Sequence, residues 1–127
     1  MTAHDPIFQD DPFNESRELA VTIADVITDT PASDTKVIDI HALSPIADFF
    51  VICSGDNERQ LRAIQRLVLE QLGDRDIDPV RVEGDPVSGW ILMDFRDVIV
   101  HIFDKELRAF YNLEERWAEA QILLAIQ

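Results

Sequence analysis

The sequence predicts an α/β fold: a mixed central β-sheet of about five strands flanked by helices. Three observations predict it. Apolar residues recur at helical spacing in some segments and form short β-branched and aromatic runs in others. Helical and strand-like segments alternate along the chain, the order expected of an α/β domain. The 127 residues, 46% of them hydrophobic, are the size of one domain that buries roughly two thirds of its unfolded surface. The expected division is an acidic, flexible N-terminal tail over residues 1–13 and a single domain over 14–127.

The first helix is read from Leu19, Ile23, Val26 and Ile27, with Pro31 closing the pattern. "KVIDI" at 36–40 and "ADFFVICSG" at 47–55 read as strands separated by the turn-forming "HALSPI". Asn57 followed by Gln60 makes a capping-box-like start for a second helix. Leu61, Ile64, Leu67, Val68 and Leu72 form its stripe, and Gly73 is placed for its C-terminal cap. After the polar loop "DRDIDP", "VRVEG" is a short strand, and "GWILMDFRDVIVHIF" at 89–103 supplies two more. "DKELRAF" reads as a helical turn. Asn112 with Glu115 starts a last helix, with Leu113, Trp117, Ala120 and Leu124 on one face.

The 89–103 stretch reads as a hairpin whose loop residues are Phe95 and Arg96. In that register Asp94 faces Asp97, Leu92 faces Ile99 and Trp90 faces His101. Both faces are then largely apolar, which places these strands inside the sheet with helices on both sides. Trp90 and the two aspartates mark the ends, where a surface begins.

Charge narrows the partners. Eleven basic against 25 acidic residues give a net charge of −14, which repels a phosphate backbone, and no basic patch offsets it. A basic protein surface is the expected partner, rather than free nucleic acid. The single cysteine, Cys53, lies in an apolar run and suits a reducing compartment. No segment reads as a signal peptide or a membrane span, so a cytoplasmic location without membrane attachment is expected.

Sites of chemistry are sparse. Asp94 and Asp97 have donor oxygens for a divalent cation, but carboxylates at a hairpin end are more often turn residues accepting from nearby amides. Asp74, Asp76 and Asp78 have the alternating spacing of a calcium loop, yet Pro79 stands where glycine is needed and Asp85 where glutamate is. "CSGD" lacks the further glycines and lysine of a phosphate loop and reads as a strand-to-helix turn. His4, His41 and His101 have no metal-type spacing, and no Ser or Cys sits in a nucleophile elbow. No cofactor or metal is expected. Trp90, Tyr111 and Trp117 remain; each is more often a core or cap residue, but Trp and Tyr are also favoured at binding hot spots.

"LSPIADFFVICSG", "ERQLRAI", "VEG" with "GWILMDFRDVIVHIF", and "RAFYNLEERW", in that order, closely resemble the ribosomal silencing factor family, also called Iojap. The resemblance runs from about Val21 to Trp117, leaving the tail and the last ten residues outside it. Relatives resemble D-x-G-D at the hairpin, where this chain has Asp94, Phe95, Arg96 and Asp97.

The resemblance implies a nucleotidyltransferase-like fold without the catalytic signature, and no enzyme activity. It implies a translational repressor that binds the large ribosomal subunit through its fourteenth protein (uL14 type). The bound repressor blocks joining of the small subunit and lowers translation when nutrients are scarce. By family correspondence Trp90 and Tyr111 are the expected apolar anchors, with Asp94, Asp97 and Glu114 facing basic groups of that protein. The alternative from another class is a nucleotidyltransferase-like enzyme or nucleotide sensor using Asp94, Asp97 and Glu83 around magnesium. A third is an adaptor that forms a homodimer, since edge strands and apolar helix stripes serve either a core or a dimer.

Overall fold

The computed structural model describes residues 12–127 of the chain. Of the tail expected through residue 13, residues 1–11 lie outside the described residues. Phe13 stacks on His41 with ring centroids 3.9 Å apart, and the chain then enters helix α1 (Asn14–Ile27). Strands β1 (Ser33–Asp39) and β2 (Phe49–Gly55) follow, then helix α2 (Glu58–Gly73). Strands β3 (Arg81–Asp85), β4 (Trp90–Asp94) and β5 (Val98–Asp104) lead to the short helices α3 (Lys105–Tyr111) and α4 (Leu113–Arg116). The described chain closes with strand β6 (Gln121–Ile126).

These strands form one mixed sheet in the order β3-β4-β5-β2-β1-β6. Only β2 and β5 pair in parallel, Phe49 opposite Val98 through Gly55 opposite Asp104; the other neighbours are antiparallel. These two central strands are buried along almost their whole length, which is why "FFVIC" and "VIVHIF" are continuous apolar runs rather than alternating ones.

The two faces have separate cores. Ile23 and Ile27 of α1 and Leu61, Ile64, Val68 and Leu72 of α2 pack on Val51, Cys53, Ile91, Val100 and Ile102. On the other face Leu107, Leu113 and Trp117 cover Ile38, Phe50, Ile52, Ile99 and Phe103. Burial pushes the Cys53 thiol up to about 12, so it is an unreactive packing residue. The start of α2 is capped as the sequence predicts: Asn57 Oδ1 accepts from the Gln60 amide at 2.9 Å, while Gln60 Oε1 reaches back to the Asp56 amide at 2.8 Å.

Three local expectations are corrected. The last helix predicted from Asn112 through Leu124 is one turn, α4, and the segment carrying Leu124 is the sixth strand, paired with β1 through Val37 opposite Leu124. Gly73 is not the left-handed cap of α2. Asp76 takes that conformation at φ 61°, and the Ile77 amide returns to the Leu72 carbonyl at 2.9 Å in the Schellman manner.

The hairpin register differs by two residues from the predicted one: Trp90 faces Phe103, Leu92 faces His101 and Asp94 faces Ile99. A shift of two keeps every side chain on its predicted face. The cause is Phe95, which is buried in the first core instead of capping a two-residue loop. Its amide bonds the Val98 carbonyl at 2.9 Å.

Candidate partner-binding surface

Trp90 begins β4, and its indole lies on the face covered by α3. Ring centroids are 4.8 Å to Phe103 and 4.7 Å to Tyr111. The indole Nε1 donates to His101 Nδ1 at 3.2 Å, which helps fix the ring plane, and Trp90 remains half-buried. His101 is 4% exposed, packs edge-on against Phe50 at 4.6 Å, and is held neutral by burial, its pKa lowered to about 4. Accepting at Nδ1 puts the imidazole proton on Nε2, a buried atom with no hydrogen-bond partner.

Tyr111 ends α3, and 48% of it is exposed. The helix is aimed by its start, where Asp104 Oδ1 accepts from the amides of Glu106 and Leu107 at 2.8 and 3.3 Å. Its end is fixed by Asn112, in the left-handed conformation at φ 48°, whose amide returns to the Arg108 carbonyl at 2.9 Å. Phe110, 77% exposed and edge-on to Tyr111 at 5.2 Å, extends the aromatic surface. It was not among the residues singled out from the sequence; its place beside Tyr111 in "RAFYN" is the only signal for it.

Between the β3–β4 hairpin and α3 lies a cavity of about 330 Å³ lined by Glu83, Ser88, Trp90, Leu92, Leu107 and Tyr111. The hairpin that forms its rim requires Gly84 at φ 76°, where an added Cβ would meet the Trp90 carbonyl oxygen at 2.0 Å. That close approach of the two backbones seats Trp90 against the cavity.

The five predicted site residues do not form one cluster. Trp90 and Tyr111 are together. Asp94 and Asp97 lie at the far end of β4, roughly 13 Å along the strand from Trp90 by strand rise. Asp94 Oδ1 accepts from the Arg96 amide at 2.7 Å and Oδ2 is 3.3 Å from Arg81 Nε, while Asp97 is exposed.

Glu114 faces inward. Its Oε1 accepts from Arg108 Nε at 2.7 Å and its Oε2 from Lys36 Nζ at 2.6 Å. The hydrogen bond from Arg108, helped by Lys36 and opposed by burial, holds its carboxyl below the usual range. Arg108, 7% exposed, also donates to the Asp34 carbonyl at 2.6 Å and to Ser54 Oγ at 2.7 Å. This network ties β1, β2, α3 and α4 together through residues 54 and 74 positions apart in sequence, a pairing that no local spacing reveals. The charge of Glu114 is compensated within the fold.

The Glu83, Asp94 and Asp97 grouping meets a similar obstacle as a magnesium site. The Arg81 guanidinium already stands between Glu83, at 3.8 Å, and Asp94, at 3.3 Å, where a cation would need to sit. Among the described residues no group of three or more His, Cys, Asp or Glu is arranged to hold a metal ion, and no helix is long and apolar enough to cross a membrane.

Comparison with known proteins fits this architecture. Residues 13–126 match the family model described as "Ribosomal silencing factor during starvation", which extends the likeness past Trp117 to the end of β6. The chain is 37% identical to the ribosomal silencing factor RsfS of Bacillus subtilis over 94 residues, 74% of this chain and 80% of that one. It is 33% identical to the chloroplastic protein Iojap of Zea mays over 116 residues, 91% of this chain and 50% of the maize protein. A crystal structure of a Chromobacterium violaceum protein superposes with a TM-score of 0.72 at 27% identity, covering 84% of this chain and 86% of that one. With its six-stranded mixed sheet, its helices on both faces and a family match spanning nearly every described residue, the chain belongs to the ribosomal silencing factor (RsfS/Iojap) family.

Proposed function

We propose that this protein is a cytoplasmic translational repressor that binds the large ribosomal subunit through its fourteenth protein and blocks joining of the small subunit when nutrients are limiting. The observation that carries the reading is the Trp90–Tyr111 pair: two rings in contact at 4.7 Å, with His101 and Phe103 packed against the indole and both rings lining the cavity. Rigid aromatics at the mouth of a cavity are the usual anchors of a protein interface. The family membership and the net charge of −14 support a basic protein partner, whose approach an acidic surface accelerates.

The mechanism is occlusion, and every residue named acts by binding rather than by bond chemistry. Trp90 and Tyr111 supply desolvated contact area. Asp97, exposed at the hairpin tip, and Asp94 beside it supply negative charge at the other end of β4. Glu114 acts through Arg108 by holding α3 and α4 on the sheet, which is a positioning role. A domain roughly 30 Å across by compactness scaling, seated on an intersubunit protein, excludes the approaching subunit sterically.

Loss of a hot-spot aromatic costs about 2 kcal/mol, roughly thirtyfold in affinity. Trp90→Ala and Tyr111→Ala are therefore expected to release the protein from isolated large subunits in a co-sedimentation assay with the thermal midpoint largely retained for Tyr111→Ala. Unchanged co-sedimentation of both variants would remove these residues from the interface.

A further inference from the structure

We infer that the cavity between the β3–β4 hairpin and α3 receives a single lysine or arginine side chain of the protein partner, with Glu83 as its counter-charge. This rests on the partner-binding reading proposed above and adds to it a specificity-determining residue.

The cavity, at about 330 Å³, lies at the lower end of the roughly 300–1,000 Å³ range of small-molecule sites. That size suits one long side chain. Its walls are apolar stem-binding groups: Leu92 from β4, Leu107 from α3 and the rings of Trp90 and Tyr111. The indole N–H is already spent on His101, so what Trp90 offers the cavity is aromatic surface, of the kind that attracts a cation. Ser88 Oγ is likewise occupied, donating to the Asp85 carbonyl at 2.8 Å.

Glu83 is the one acid or base among the Asp, Glu, Lys and Arg types in the lining. It stands opposite Leu92 in the β3–β4 register, on the same face as Trp90. Among the described residues its only ion pair is with Arg81 at 3.8 Å, between side chains 63% and 57% exposed, and Arg81 is held closer by Asp94 at 3.3 Å. Such an exposed pair is worth little, so Glu83 is free to exchange Arg81 for a partner cation. Apolar walls, two aromatic side chains and a carboxylate complement an aliphatic stem ending in positive charge. An acidic occupant meets repulsion, and a purely aliphatic one leaves Glu83 desolvated without a partner.

The test measures the affinity of the full chain for isolated large ribosomal subunits by co-sedimentation, comparing the unaltered protein with Glu83→Gln, Glu83→Lys and Arg81→Gln. Loss of a charge-assisted contact predicts weakening on the order of tenfold for Glu83→Gln at low salt, a larger loss for Glu83→Lys, and a difference that shrinks as salt is raised. Arg81→Gln is expected to leave binding unchanged or tighten it. That result separates a direct role for Glu83 from a structural one through Arg81, which would make the two variants alike. Unchanged or tighter binding by Glu83→Gln, beside normal binding of the unaltered protein, overturns the basic-side-chain assignment and leaves the repressor reading standing. Failure of the unaltered protein to bind large subunits overturns both.

Discussion

His101 shows how one residue can position a surface and set an acid limit on the fold. Unfolded, its imidazole titrates near 6.5; folded, burial lowers the value to about 4. The unfolded chain therefore binds the proton first. The favourable contribution of the neutral ring is fully present above about pH 6.5, falls as pH drops toward 4, and is constant below that, a loss of about 3 kcal/mol from this group.

Glu114 acts in the same direction lower down. Its carboxyl is depressed chiefly by Arg108, so its contribution is present above the ordinary carboxylate value and is lost as pH falls through the folded one. Chemical denaturation at pH 7 and pH 4.5 is expected to show the protein distinctly weaker at the lower pH. In His101→Phe, which keeps a ring in the site, the slope over that window should flatten even though the variant starts lower for loss of the Trp90 hydrogen bond. Equal slopes in the two proteins would mean that His101 titrates normally.

The hairpin and the C-terminal segment are the elements where sequence and structure part. Most of the framework was legible: the two helices packed on one face, the parallel-capable apolar strands and the asparagine cap of α2 all follow from periodicity and cap chemistry. "QILLAIQ" was not, because a short apolar run satisfies helical and strand spacing equally. Its strand form depends on β1, far earlier in the chain, offering a sheet edge that accepts Ala125 opposite Lys36. The hairpin register escaped because Phe95, in the middle of the expected loop, is drawn into the core.

That register also places Arg96 at φ 75°, with the Asp97 amide bonded to the Phe95 carbonyl at 3.1 Å. This is a γ-turn of the rare hand, with a non-glycine residue at its centre. A left-handed conformation costs a side-chain-bearing residue about 1–2 kcal/mol, part of which glycine gives back as chain entropy. Arg96→Gly is expected to stabilise the protein by about 1 kcal/mol, raising the thermal midpoint by about 4 °C. A lower midpoint would show that the arginine contributes contacts outweighing the strain. Trp90 and Tyr111 were legible as candidate residues; that they meet, that Phe110 joins them and that Glu114 faces inward were not, because each depends on how α3 is aimed.

At the scale of the whole molecule, charge and shape work together. Under the proposed function, a chain of net charge −14 would approach a basic protein on the ribosome under attraction and be disfavoured on bare phosphate. The close fit would then be made by the proposed aromatic surface beside the β3–β4 cavity. Helices pack on both faces of the sheet, giving a folded body of the kind steric exclusion requires. Silencing by this route should depend on occupancy alone. The direct measurement is subunit joining: isolated large subunits are mixed with increasing amounts of the protein, small subunits are added at joining magnesium, and the particles are resolved by sedimentation. Occlusion predicts that joined particles fall in proportion to large subunits carrying the protein, and that Trp90→Ala restores them. Joined particles that form normally while still carrying the protein would contradict it.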